Sequence, residues 1–294
     1  MPSAHLPGLY LILVAAIWGV TIPLMEQAVS LQDPFTFLSI RFTLAALPLL
    51  PYFLRHLDRY FLQLGSWLGL MHCIAFLFQL IGLQTVDASR GAFLTSTYVL
   101  WIPLLSSFFG MGWASTHELL SSLICLVGIY VLTGCDLQNF SKGDSWIIAS
   151  ALSIAMTIIY ISKHGKAGAN LYMLAYCQIV MTALFSWVPT LLCSDLDFSP
   201  LWLEPELLTI HLFCSLLGTV VAIGLQAKYQ KQVSLQNVAL IFSLEPLFAL
   251  LTDSCFKSTL PSLSTLVGGM IIIGSIIYLE LMKPKATTEA ALSS

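Results

Sequence analysis

Residues 85–105 read TVDASRGAFLTSTYVLWIPLL, and residues 232–252 read QVSLQNVALIFSLEPLFALLT. At a shift of 147 residues, half of the 294-residue chain, they pair Val86 with Val233, Ala92 with Ala239 and Ser96 with Ser243. Each begins as a polar loop and runs into an apolar helix, the fourth of its half. Self-similarity at a fixed spacing marks a repeated structural unit. The rest of the chain says what kind of unit it is.

Only 9% of the residues are Asp, Glu, Lys or Arg, and 57% are hydrophobic. Soluble domains carry roughly a quarter charged residues. The mean hydropathy is +0.87. A soluble fold could not hide that much apolar surface, because soluble surfaces need charge to stay dispersed. Composition therefore excludes a soluble enzyme, a disordered chain and a nucleic-acid binder. A net charge of −3 offers no basic stripe to a phosphate backbone. A polytopic membrane protein remains.

A transmembrane helix needs about 20 mostly apolar residues. Ten candidates follow, at 8–27, 35–54, 64–84, 92–110, 118–134, 145–162, 171–192, 207–226, 236–252 and 263–282. The expected fold class is all-α integral membrane, with no room for a soluble domain. No Lys or Arg precedes the first apolar run, MPSAHLPGLYLILVAAIWG, so it reads as a retained helix rather than a cleaved signal. The spans divide five and five, into residues 1–137 and 138–294. Five is odd, so the second half enters the bilayer upside down. Two inverted five-helix repeats are a transporter architecture, with the substrate site near the midplane between them.

Charge bias sets the expected orientation. With the N-terminus inside, Arg55, Arg59, Lys163, Lys166, Lys228, Lys231, Lys283 and Lys285 fall inside. Arg90, Lys142 and Lys257 fall outside. The positive-inside rule then places both termini in the cytoplasm, and the expected location is a bacterial inner membrane. Asp195, Asp197, Glu204 and Glu206 crowd one outer loop, and the 283–294 tail reads as disordered. Cys135, Cys193 and Cys255 fall near outer helix ends and are expected as free thiols. The seven cysteines show no CxxC spacing, so no metal or cofactor site is expected.

Polar residues inside spans are the site candidates. Glu245 is the only carboxylate well inside one. A charge there costs about 2.5–3.5 kcal/mol on insertion scales. Pro246 has no N–H, so the Phe242 carbonyl loses its helical partner. The pair could take a proton, a cation or a substrate amine, or Glu245 could simply hydrogen-bond a neighbouring helix. Arg41 lies roughly 10 Å below the outer surface by helical rise. It would grip a carboxylate or phosphate bidentately, or else snorkel outward or pair with Glu26 or Asp33.

Trp18 and Thr21 share one face of the first helix, beside Gly19 and Pro23, and Tyr98 and Trp101 are likewise three apart. Aromatic walls with a few polar tips line small-molecule pockets. Gln79 and His72 share a face of the third helix, with Gln226 and Tyr229 near the end of the eighth. Each would serve equally for interhelical hydrogen bonds. Gly65 with Gly69, and Gly269 with Gly274 and Ser275, are expected at close helix contacts.

Four stretches carry a family resemblance: AAIWGVTIPL, SIRF, LFQLIGLQTVDASRGAFLTSTYVLWIPLL and NVALIFSLEPLFALL. Together they resemble the EamA-type members of the drug/metabolite transporter superfamily. The resemblance implies a five-plus-five inverted-repeat carrier, a central cavity and alternating access. It also sets Tyr160 loosely against the motif of the first helix, as a further cavity-lining candidate. The expected function is a secondary carrier of small organic metabolites, amino-acid-like or similar, in export or exchange. Partners would be the solute, the lipid bilayer and protons as coupling ion, with the protein a monomer or homodimer. A membrane enzyme is the first alternative, but HExxH, GxSxG and Walker A patterns are all absent from the sequence. A passive channel is the second.

Overall fold

The computed structural model describes residues 6–56, 58–134, 139–164, 171–256 and 260–282. Cys135, Lys166, Lys257 and the 283–294 tail lie outside the described residues. The regular structure among the described residues is helical. The first half holds α1 (Leu6–Leu31), α2 (Pro34–Ala46), α3 (Leu50–His56), α4 (Arg59–Leu83), α5 (Ala88–Ser96), α6 (Tyr98–Leu105) and α7 (Thr116–Thr133). The second half holds α8 (Lys142–His164), α9 (Leu171–Cys193), α10 (Pro200–Leu203), α11 (Pro205–Ser215), α12 (Ala222–Tyr229), α13 (Leu235–Phe242), α14 (Glu245–Phe256) and α15 (Leu263–Leu281). A 3-10 turn joins α2 to α3, and a π-helical stretch, Leu216–Val221, joins α11 to α12.

Nine helices among the described residues are long and apolar enough to cross a membrane, making the protein an integral, multi-pass membrane protein. The sequence reading expects ten. The fourth expected span, 92–110, is the one that differs: it consists of the two short helices α5 and α6, meeting at Thr97 and ending at Leu105. Pro103 explains part of this. It cannot donate to the Val99 carbonyl one turn back, and the Ser122 hydroxyl of α7 donates there instead at 3.0 Å. After Leu105 the chain turns through Gly110 (φ 72°) and Gly112 (φ 85°), a left-handed backbone that favours glycine.

Small residues bring the helices together. A Cβ on Gly65 would lie 2.3 Å from the Cys177 Cβ, and one on Gly69 would lie 2.7 Å from that of Met181. The Gly65/Gly69 pair is therefore a contact between α4 and α9 within one chain. On α15 the close approach is made by Gly268, whose added Cβ would meet the Gly128 carbonyl of α7 at 2.5 Å. Its neighbour Gly269 faces Leu247, and Gly274 faces open space.

Contacts between helix ends group the charges at two ends. The Tyr60 hydroxyl donates to the His164 carbonyl and Tyr10 stacks on Tyr229, which groups Arg59, Lys163 and Lys228 at one end. At the other end Thr36 bonds Ser194, Gln27 donates to Glu206, and Glu26 lies near Asp87. Cys193 and Cys255 are free, exposed thiols.

Candidate functional site

Two helices break at positions related by the 147-residue shift. In one, α5 stops at Ser96 and α6 begins at Tyr98; in the other, α13 stops at Phe242 and α14 begins at Glu245. Tyr98 and Glu245 are the paired positions, 147 apart, and their side chains meet: the Tyr98 hydroxyl lies 3.5 Å from Glu245 Oε1 and donates to it. Both are buried. A broken helix exposes backbone polar groups mid-span, which is tolerated only where protein or a cavity surrounds them.

A cavity adjoins this pair. Its walls come from α1 (Trp18, Thr21, Ile22, Met25), α4 (His72, Ala75, Phe76, Gln79), α5 (Thr95) and Tyr98 of α6. The second half supplies Ile154, Thr157 and Ile158 of α8, Gln226 of α12, Phe242 of α13 and Glu245 of α14. Residues at fixed spacings in the two halves recur in the lining. Gln79 and Gln226 are 147 apart, as are Thr95 and Phe242, while Thr21 and Thr157 are 136 apart, as are Ile22 and Ile158. The free volume is about 50 Å³, well under the roughly 300–1,000 Å³ of small-molecule sites. Side chains must therefore move before an organic solute fits.

Seven of the residues singled out in the sequence line this cavity, His72 and Gln226 among them. Trp18 sends its indole N–H to the Gly218 carbonyl at 3.0 Å and meets Phe242 edge-on. Thr21 donates to the Trp18 carbonyl at 2.7 Å, and Gln79 donates to Thr95 Oγ1 at 3.2 Å. Tyr98 and Glu245 complete the set. Among the described residues no group of three or more His, Cys, Asp or Glu is placed to hold a metal ion.

Arg41 lies directly behind the wall and is fully buried, so it does not snorkel. Its Nε donates to Thr219 Oγ1 at 3.2 Å and its Nη1 to the Met25 sulfur at 3.1 Å. The guanidinium sits 4.5 Å from the Phe76 ring centre, a cation–π distance. Neither expected carboxylate pairs with it: Asp33 caps α2 at Thr36, and Glu26 lines a separate pocket with Asp87. Thr219, which holds Arg41, also donates to the Cys214 carbonyl five residues back, within the π-helical register. π-bulges concentrate at functional sites.

Trp101 and Tyr160 lie elsewhere. Trp101 is one turn past Tyr98 on α6, packed against the apolar core. Tyr160 is two residues beyond Ile158, hence roughly 200° round α8, and packs with Trp67 and His164. Conversely, Thr95, Thr157, Met25 and Phe76 line the cavity without standing out in sequence. The spacings of Thr157 from Thr21 and of Thr95 from Phe242 are the signals that point to two of them.

A second polar feature joins the halves. Arg90 of α5 makes a two-pronged ion pair with Asp144 of α8, Nε to Oδ1 and Nη2 to Oδ2, both at 2.7 Å. Asp144 is fully buried and also accepts from the Ser141 backbone. The Asp144 carboxyl is invisible in a hydropathy scan because it sits in the first turn of its helix.

The sequence profile of the EamA-like transporter family matches the chain twice, over residues 6–134 and 141–281. A protein from Archaeoglobus fulgidus named only as an uncharacterized transporter is 29% identical, over 92% of this chain and 84% of its own length. A Bacillus subtilis protein, the uncharacterized transporter YvbV, is 26% identical over 97% of this chain and 94% of its own. A crystal structure 17% identical covers 99% of both chains with a TM-score of 0.70, a likeness of fold.

Proposed function

The chain belongs to the EamA-like transporter family, and on that premise we propose that it is a secondary carrier of small organic metabolites working by alternating access. Amino-acid-like or similar solutes, moved outward or in exchange, are the proposed cargo class. The carrying observation is the meeting of Tyr98 with Glu245, repeat-related residues at two helix breaks on one cavity wall. Such a meeting is what two inverted five-helix repeats, residues 1–137 and 138–294, would produce around a shared axis. In this reading the pair α5–α6 acts together as the tenth span.

Each wall residue then has a role. Glu245 exchanges a proton or grips an amine, with Tyr98 orienting it. Trp18 and Thr21 form one wall, and Gln79 with Gln226 offers amides from facing halves. Protons are the proposed coupling ion. A bacterial inner membrane and cytoplasmic termini remain the proposed setting, supported by the basic loops gathered at one end. Transport rather than bond chemistry also fits the names of the two relatives.

The test is counterflow. Purified protein in liposomes preloaded with unlabelled amino acids should accelerate entry of the same labelled compounds transiently above equilibrium. Flux without acceleration by internal solute would mean a channel, and a chemically altered compound would mean an enzyme. Either result removes the carrier reading.

A further inference from the structure

We propose that Arg41 is an anion anchor at one end of the cavity, and that the solute bound there carries a single carboxylate. The inference rests on the carrier reading in one respect, that a solute enters this cavity. Nothing in the family membership names the group or the residue.

A guanidinium removed from water needs a counter-charge or a full set of acceptors. Arg41 is 0% exposed, and among the described residues no carboxylate lies within ion-pair reach. Its acceptors are one hydroxyl and one thioether, the latter a weak acceptor. Nη2 has no partner at all among the described residues.

Gly218, in the π-helical stretch, packs tightly against the cavity wall beside that nitrogen: a Cβ there would meet the methyl of wall residue Thr21 at 2.8 Å and Nη2 at 3.4 Å. A second buried nitrogen faces the same region. His72 Nδ1 lies 3.1 Å from Gln178 Nε2, and His72 Nε2 has no hydrogen-bond partner among the described residues. The guanidinium and the imidazole flank one ring, Phe76, at 4.5 and 4.8 Å. His72, Phe76 and Met25 all line the cavity. Rotation of Met25, an unbranched and adaptable side chain on the cavity wall, would free Nη1, the nitrogen its sulfur now holds.

The chemistry favours a carboxylate. The Nη1–Nη2 edge is a planar fork that matches two carboxylate oxygens. One guanidinium neutralises one negative charge, whereas a phosphate dianion would keep a net charge buried. Met25 sulfur holds the place that one carboxylate oxygen takes.

The test uses the purified full chain in detergent at constant ionic strength, read by its thermal unfolding midpoint. Sodium benzoate is the probe, benzamide its uncharged match, and inorganic phosphate the competing anion. Benzoate should raise the midpoint saturably, since a ligand of the folded state stabilises it, and benzamide and phosphate should not. Arg41→Gln should weaken benzoate at least about tenfold, the scale of a lost charged hydrogen bond. Arg41→Lys, which keeps charge without the fork, should weaken it less. Met25→Leu removes the competing acceptor and should tighten benzoate by about threefold. It keeps the idea testable if Arg41→Gln does not fold. Equal shifts with benzamide, an unchanged response in Arg41→Gln, or no response of the native protein would overturn the proposal. A phosphate shift that depends on Arg41 would overturn the carboxylate assignment. Counterflow that persists without any benzoate effect would remove the anchor and leave the carrier. An Arg41-dependent benzoate shift without counterflow would do the reverse.

Discussion

Replacing Glu245 by glutamine separates a coupling role from a binding role. Glutamine has the same shape, so no cavity forms and no overpacking follows. Glu245 is 7% exposed and its hydrogen-bond partner, the Tyr98 hydroxyl, is 3.5 Å away. That distance is at the limit for a hydrogen bond. A neutral bond of this kind is worth about 0.5–1.5 kcal/mol net, and glutamine keeps a carbonyl to accept it. Glu245→Gln should therefore fold, with stability changed by less than about 1.5 kcal/mol. Function should change far more. An amide cannot release a proton, so uptake driven by a pH gradient into liposomes should fall to the protein-free rate. Exchange at equal pH should stay within about fivefold, the rate equivalent of roughly 1 kcal/mol. If Glu245 instead grips a substrate amine, the lost charge weakens binding and exchange falls with it. Native rates in both assays would refute the functional reading and leave Glu245 a structural residue of a broken helix.

Other outcomes follow from the packing and the polar contacts. Gly65→Val places carbon 2.3 Å from the Cys177 Cβ and should cost at least about 1–3 kcal/mol in detergent unfolding; unchanged stability with loss of a dimer would move this contact between chains. Ser122→Ala strips the Val99 carbonyl and the Gln236 amide of one partner, and should destabilise by about 1–3 kcal/mol, with Ser122→Thr restoring most of it. Asp144→Asn should cost about 1–3 kcal/mol, because it removes the carboxylate from a two-pronged pair while Arg90 keeps the Asn139 carbonyl; the exchange of both residues should recover part of that loss if the pair acts as a unit. Single cysteines at positions 163 and 196, on a cysteine-free background, should label from opposite sides of intact cells. Labelling of position 163 by an impermeant reagent from outside would reverse the proposed orientation.

Composition alone settled that this chain lives in lipid. A 9% share of charged residues leaves no aqueous surface, whatever the order of the residues. The apolar runs located nine crossing helices to within a few residues. The 147-residue shift paired Tyr98 with Glu245 before any geometry, and the two helix breaks fall at that register.

Which face of each helix meets the cavity was decided only by the tertiary structure. In a water-soluble protein, hydrophobic periodicity reveals the buried side of a helix. In a bilayer, lipid tails are as apolar as a protein core, so both faces of a span read alike. Trp101, three residues from Tyr98, and Tyr160, set only loosely against the motif of the first helix, were candidates for that reason, yet they pack elsewhere. Polar residues marked the interior but not their partners. Arg41 had two carboxylates within plausible reach along the chain, and the fold gave it Thr219, Met25 and Phe76 from three different helices. The split of residues 92–110 is tertiary as well: Pro103 weakens the helix locally, but it takes the Ser122 hydroxyl from α7 to donate to the freed Val99 carbonyl. Long-range contacts of this kind carry no trace in local hydropathy, because their energy belongs to pairs of residues that only the fold brings together.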